Sequence, residues 1–207
     1  DEGGVDAGAA YLVYGPPSNG SLSDHIKLVG EATDDSAGFS VAIGGNLNGD
    51  AFDDLIIGAY QNDTAASNAG AVYILHGPVS SSSSLSEADK KLLGENASSF
   101  TGWSIAPTGD LDNDGYDDFM VGAYQESSVH ENAGAAYIVY GPPVDGSLES
   151  SVKLTGEASN DHAGYAVSGG CDFNNDGSKD VLVGAPQEST NTSGAGSVYL
   201  LYGPILN

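Results

Sequence analysis

Apolar residues in this chain fall into short runs of three to six, and the same four kinds of run recur in the same order. The first kind is FSVAI (39–43), WSIA (103–106) and YAVS (165–168). The second is DLIIGA (54–59), DFMVGA (118–123) and DVLVGA (180–185). The third is AAYLVY (9–14), AVYILH (71–76), AAYIVY (135–140) and SVYLLY (197–202). The fourth is IKLV (26–29), KLL (91–93) and VKLT (152–155). These runs are rich in β-branched and aromatic residues and bounded by Gly, Pro, Asn and Ser, which predicts strands. No window carries a sustained helical period with caps. The second run is apolar on both faces, as expected of a strand held between two neighbouring sheets.

Landmarks such as Tyr73, Tyr137 and Tyr199 repeat at spacings of 62 or 64 residues. Internal repetition over the whole chain makes the repeat the unit of folding. Residues 1–207 form a single array: a partial unit at 1–38 with third and fourth strands, repeats at 39–101 and 102–164, and a partial repeat at 165–207. Four-stranded units of about 60 residues, apolar on both faces, predict an all-β fold of β-propeller-type blades with antiparallel strands. The runs give 13 strands, just over three blades, whereas propellers use about 4–8. Two expectations follow: the array is part of a longer propeller, or a second copy completes the ring, because open blade faces and strand edges invite association.

Between the first and second runs lies an acidic loop in three copies. Asn46, Asn48, Asp50 and Asp54 occupy positions 1, 3, 5 and 9 of the first, Asp110, Asp112, Asp114 and Asp118 those of the second, and Asp172, Asn174, Asp176 and Asp180 those of the third. Four oxygen-bearing side chains in nine residues repel one another unless a hard cation gathers them, and calcium is the usual one. The loop opens like an EF-hand, but position 12 is Ile57, Val121 or Val183 rather than Glu, so the site is strand–loop–strand. By analogy with the EF-hand, position 7 (Phe52, Tyr116, Ser178) offers its backbone carbonyl. Water fills the rest of a shell of roughly 6–8 oxygens. The expected affinity falls from the second loop to the third to the first, where charged ligands are fewest and Ala51 replaces the turn glycine. The alternative, ordinary Asx turns without metal, accounts poorly for three in-register copies.

Charge narrows the partners. Five Lys, no Arg and 29 Asp plus Glu give a net charge of -24. Three calcium ions would leave about -18, still acidic. Nucleic acid is excluded as a partner, since phosphate binding needs a basic face. No apolar run reaches the roughly 18 residues of a membrane span, so no direct membrane insertion is expected. The lone cysteine, Cys171, rules out an internal disulfide, and its expected role is that of a small buried hydrophobe. Sequons begin at Asn19, Asn62, Asn96 and Asn191.

Catalytic signatures are missing. His130-Glu131 opens like H-E-x-x-H, but Gly134 stands where the second His belongs. His25, His76, His130 and His162 are scattered, and His76 takes a slot filled elsewhere by tyrosine, which predicts a packing role. Ser80–Ser84 reads as a solvated connection. Lys27, Lys91 and Lys153 share one repeat position, with Glu31, Glu95 and Glu157 four residues on. Such pairs cannot touch within one extended strand. They either meet across blades or remain solvated strand ends, where ion pairs contribute little.

The aromatic-Gly pairs at Gly38-Phe39, Gly102-Trp103 and Gly164-Tyr165, the acidic loops, and Gly58-Ala-Tyr, Gly122-Ala-Tyr and Gly184-Ala-Pro together resemble the FG-GAP repeat over residues 9–203. That repeat builds the seven-bladed propeller of integrin α chains and occurs in bacterial surface and secreted proteins. The resemblance implies a calcium-stabilised, non-enzymatic propeller placed outside the cell, secreted or at its surface. It implies adhesion or binding of a protein or carbohydrate ligand. A lectin-like propeller, or an accessory domain of a larger secreted hydrolase, is the alternative.

Overall fold

The computed structural model describes residues 2–16, 20–189 and 194–205. Their strands, in chain order, are β1 (Ala9–Leu12), β2 (Ile26–Val29), β3 (Ser40–Gly45), β4 (Asp54–Ala59), β5 (Ala71–Leu75), β6 (Ser83–Ser84), β7 (Lys90–Leu93) and β8 (Ser104–Gly109). There follow β9 (Asp118–Ala123), β10 (Ala135–Val139), β11 (Gly146–Ser147), β12 (Val152–Thr155), β13 (Ala166–Cys171), β14 (Asp180–Ala185) and β15 (Ser197–Leu201). They make four sheets. Two carry the full antiparallel order, β3-β4-β5-β7 and β8-β9-β10-β12. The first sheet keeps β1 and β2, and the last β13, β14 and β15. This is the expected all-β, propeller-type arrangement of blades.

There is no single core. Three apolar layers lie between successive blades. Ile57, Tyr73 and Leu28 belong to the first, Ile56, Phe119 and Tyr137 to the second, and Met120, Ile138 and Val183 to the third. Each blade is therefore stabilised by its neighbours, and burial tracks neighbour count. All six residues of β9, between two complete faces, are buried. In β14 Leu182 is exposed. Burying a side chain such as Phe119 contributes on the order of 2 kcal/mol.

Two elements differ from the reading of the sequence. Ser83 and Ser84 are half-buried, not a solvated connection, and pair in parallel with Leu28 and Val29 of the preceding blade. Gly146 and Ser147 do the same with Leu92 and Leu93. These two-residue strands bring the total to 15, and they are too short to leave an alternation in the sequence. Ser84 and Ser147 also cap the single-turn 3-10 helices that follow, accepting from the backbone N–H of Ser86 (3.2 Å) and Glu149 (3.1 Å). Cys171 is exposed rather than buried, because β13 bulges between Gly169 and Cys171 and turns the thiol out of the sheet. Among the sequons, Asn19 and Asn191 lie outside the described residues. Asn62 is buried, and its amide is spent on Glu31, Asp35 and Tyr73.

Candidate metal centre

The three acidic loops connect β3 to β4, β8 to β9 and β13 to β14. Each therefore sits at the same end of a blade, held by two antiparallel strands. The chain must turn sharply there, and positions 4 and 6 both take the left-handed conformation: Gly49 and Ala51 at φ 82° and 77°, Asn113 and Gly115 at 64° and 96°, Asn175 and Gly177 at 60° and 94°. Position 6 thus has the backbone that makes glycine the natural choice. Ala51 occupies it at a steric cost of roughly 1 kcal/mol.

The side chains at positions 1, 3 and 5 turn inward onto backbone amides. In the second loop Asp110 and Asp112 both accept from the Asp114 N–H (3.1 Å each), and Asp110 also from Gly115 (3.1 Å). Asp172 and Asn174 accept from Asp176 N–H (3.0 Å each) in the third loop. Asn46 and Asn48 accept from Asp50 N–H at 3.0 and 2.9 Å in the first. Backbone N–H groups of Phe52, Tyr116 and Ser178 at position 7 donate to Asp50, Asp114 and Asp176 (2.9, 2.9 and 2.8 Å).

Position 9 closes each loop from inside the blade. Asp54, Asp118 and Asp180 are buried. One carboxylate oxygen of each accepts from the loop's second residue: Leu47 (2.9 Å), Leu111 (2.7 Å) or Phe173 (2.7 Å). The other accepts from a glycine after the third strand: Gly77, Gly141 or Gly203, all at 2.9 Å. Those glycines are missing from the sequence-derived ligand set, although the Gly-Pro that ends each third run marks them. A Cβ on Gly77 or Gly203 would strike the backbone oxygen of Asp53 or Lys179. A second unread residue is Asp117, which accepts from Asn46 N–H (2.8 Å) while its own N–H donates to Asn46 O (3.1 Å), so the first two loops are clasped together.

Electrostatics separates the copies. Burial pushes Asp118 up to about 6 against its two amide bonds, and the charges of Asp112 and Asp114 push the same way. Asp54 is likewise raised by burial. Asp50 is held low by Phe52 N–H and the Asn48 amide, and Asp176 by the Asn174 amide and Ser178 N–H. The Asn48 and Asn174 side chains donate to those carboxylates at 2.9 and 2.7 Å. Position 3 of the second loop is Asp112, which has no such donor to give. There Asp110, Asp112 and Asp118 bring carboxylate oxygens within 4.8 Å of one another, and no other trio of acidic, His or Cys side chains does so among the described residues. That set of hard oxygen donors fits a calcium-sized cation.

The repeated lysines settle differently. Lys91 reaches back to Glu31 of the preceding blade and to Thr64 Oγ1 (2.6 Å). Lys153 meets Glu95 Oε2 (2.9 Å), Glu126 Oε1 (3.1 Å) and Ser128 Oγ (2.9 Å). Both ammonium groups stand over a buried tyrosine ring, Tyr73 at 5.3 Å and Tyr137 at 5.5 Å. The lysine–glutamate pairs therefore cross between blades and are not solvated strand ends. Lys27 pairs with the exposed Glu2 at 3.2 Å. His76, in its tyrosine slot, has Nδ1 4.0 Å from Asp89.

At the end of β3 opposite its loop begins a strip of aromatic rings. Phe39 and Trp103 have centroids 4.6 Å apart, Trp103 and Tyr124 4.5 Å, and Tyr124 and Tyr165 5.4 Å. Phe39 is 51% and Tyr165 43% exposed.

Comparison with known proteins agrees with the repeat geometry. A family model, the FG-GAP repeat, matches residues 37–75, 101–139 and 163–201, more than half of the chain. Integrin alpha-6 of Gallus gallus is 28% identical over 187 residues, covering 89% of this chain and 17% of the integrin. Integrin alpha-7 of Homo sapiens is 32% identical over 178 residues, covering 85% of this chain and 14% of its own length. A phosphatidylinositol-glycan-specific phospholipase D of Mus musculus is 38% identical over 109 residues, covering 49% of this chain and 13% of the enzyme. The chain thus spans less than a fifth of the length of each of these three relatives. With three in-register copies of the matched repeat on blades of the same construction, this chain belongs to the FG-GAP repeat family.

Proposed function

We propose that this chain is a calcium-binding, non-enzymatic interaction module that works outside the cell, with calcium as a structural staple and the ligand held elsewhere on the blades. The observation that carries the calcium reading is the convergence of Asp110, Asp112 and Asp118 within 4.8 Å. Asp110, Asp112, Asp114, Asp118 and the Tyr116 carbonyl would hold the ion, with Asn46, Asn48, Asp50, Phe52 and Asp54, and Asp172, Asn174, Asp176, Ser178 and Asp180, as the equivalent sets. A bound calcium would supply two positive charges and would gather the loop's oxygens. The chain's own part is positional: two strands fix the loop ends, and paired amides aim each closing carboxylate. Asn48 and Asn174 already satisfy their neighbouring carboxylates, which supports placing the second loop first; the charged-ligand count and Ala51 place the third above the first, for an affinity order of second, third, first. Calorimetric titration of calcium into the chain and into Asp112→Ala, Asp176→Ala and Asp50→Ala variants tests this. The largest loss is expected from the second-loop variant, and tightest binding at the first loop contradicts the order.

Integrin α relatives over most of the chain support adhesion or binding of a protein ligand. No helix among the described residues is long and apolar enough to cross a membrane. A carbohydrate ligand is favoured by the exposed rings of Phe39 and Tyr165, which present flat apolar surface for sugar stacking. An accessory role in a larger secreted hydrolase is favoured by the phospholipase D relative. Glycan-array binding that is lost in Phe39→Ala would select the carbohydrate reading, and a silent array would select a protein ligand.

A further inference from the structure

We propose that the first and second acidic loops take up calcium as a coupled pair, with Asp117 as the residue that couples them, while the third loop fills on its own. The inference rests on the calcium reading and adds to it a dependence of one site on another.

The two loops meet at their ligand positions. Asp117 lies between Tyr116 and Asp118, positions 7 and 9 of the second loop, and its carboxylate accepts from the Asn46 N–H at 2.8 Å. Its own N–H donates to Asn46 O at 3.1 Å. Asn46 is position 1 of the first loop, and its side-chain oxygen accepts from Gly49 N–H (2.8 Å) and Asp50 N–H (3.0 Å). The Tyr116 ring lies against the same turn, since a Cβ on Gly49 would stand 2.8 Å from Tyr116 Cε1. A Cβ on Gly45, the residue before Asn46, would strike the Asp117 carboxylate. Whatever fixes residues 116–118 therefore also fixes the start and the turn of the first loop.

The junction of the second and third loops is built differently. Lys179 stands where Asp117 does, and Ser178 where Tyr116 does. An ammonium cannot accept an amide hydrogen, and among the described residues Lys179 makes no hydrogen bond to Asp110. A Cβ on Gly109, unlike one on Gly45, would meet no atom of a neighbouring loop closer than 3.9 Å. The sign of the coupling then separates a mechanical link from simple electrostatics. Two dications in adjacent loops repel, so charge alone makes the first loop bind more tightly when the second is empty. The clasp acts in the opposite direction. Ordering residues 116–118 orders Asn46 with them, and the first loop then loses less conformational freedom on binding. By linkage, filling the first loop strengthens the second by the same factor.

The test is a calcium titration of the isotope-labelled full chain followed by amide NMR, in which Gly49, Gly115 and Gly177 report the three loops separately. Asp112→Ala, which disables the second loop, should raise the calcium midpoint of Gly49 about fivefold or more and leave that of Gly177 in place. Asp117→Ala should raise the Gly49 midpoint by a similar factor, and adding Asp112→Ala to it should move Gly49 no further. Asp117→Asn keeps a side-chain oxygen to accept from the Asn46 N–H and should restore the dependence. A Gly49 midpoint that Asp112→Ala lowers or leaves unchanged overturns the coupling while the calcium reading stands. A Gly177 midpoint that moves as far as that of Gly49 overturns the assignment to Asp117. The absence of any calcium-dependent shift at the three glycines overturns the calcium reading and the coupling together.

Discussion

Carboxylates crowd together in two kinds of place in this molecule, at the seams between blades and in the second acidic loop, and the chain neutralises them in opposite ways. At the seam the Lys153 ammonium crosses to Glu95 of the preceding blade at 2.9 Å and meets the buried Glu126 of its own blade at 3.1 Å. In the loop Asp110, Asp112 and Asp118 converge, yet none of the ion pairs among the described residues involves them. The difference follows from reach. A fourth strand brings its lysine stem across one interblade gap, whereas a nine-residue turn at the end of a blade has only amides to offer. Amides stabilise the loop, but they leave burial to raise Asp118 to about 6. The seam carries its cation in the sequence, and on the proposed reading the loop takes one from solution.

Breaking the seam should have the largest effect. Lys153→Met keeps the apolar stem but leaves Glu126, 1% exposed, without its counter-charge. The loss should be about 3 kcal/mol, measured as the shift in denaturant midpoint. Withdrawing the cation proposed for the loop comes next: at calcium about 100-fold above its dissociation constant, chelation should remove about 2.7 kcal/mol of stability. A sharper version gives the second loop the device of the other two. Asp112→Asn supplies an amide of the kind that Asn48 and Asn174 direct at Asp50 and Asp176. Calcium affinity by calorimetry should fall about tenfold, while stability in EDTA rises by about 0.5–1 kcal/mol.

Two smaller effects bound the comparison. Ala51→Gly relieves a left-handed alanine at φ 77° and should stabilise the first loop by up to about 1 kcal/mol, with or without calcium. The pH dependence of the seam has a definite sign. Burial pushes Glu31 up, but its hydrogen bond and charge interaction with Lys91, with help from Tyr73 and Asn62, bring it below 4.5. Its stabilising contribution is therefore present above pH 4.5 and is lost as pH falls through the lower folded value. The stability gap between the wild type and Lys91→Met should narrow as pH falls below that point, and a gap that widens would contradict the assignment.

The sequence made the blades and the loop side chains legible because both are written locally. Runs such as DFMVGA show a strand covered on both faces, and Asp110, Asp112, Asp114 and Asp118 lie within nine residues. What stayed hidden depends on partners roughly 20 to 70 residues away. The Gly141 amide on Asp118, the Asp117 clasp on Asn46, and the choice of Glu95 and Glu126 rather than Glu157 for Lys153 all belong to this class. Cys171 and Ser83-Ser84 are hidden for a different reason, since a bulge and a two-residue strand leave no periodicity to detect. Ala51 is legible in the sequence, because an alanine where two sister loops carry glycine marks a backbone demand.

The central claim, that the second loop is completed by a divalent cation from outside the chain, is met most directly by thermal unfolding in EDTA against saturating calcium. The account predicts a clearly higher midpoint in calcium, with most of that rise abolished by Asp112→Ala. Superimposed melting curves for the wild-type chain in the two conditions would contradict it.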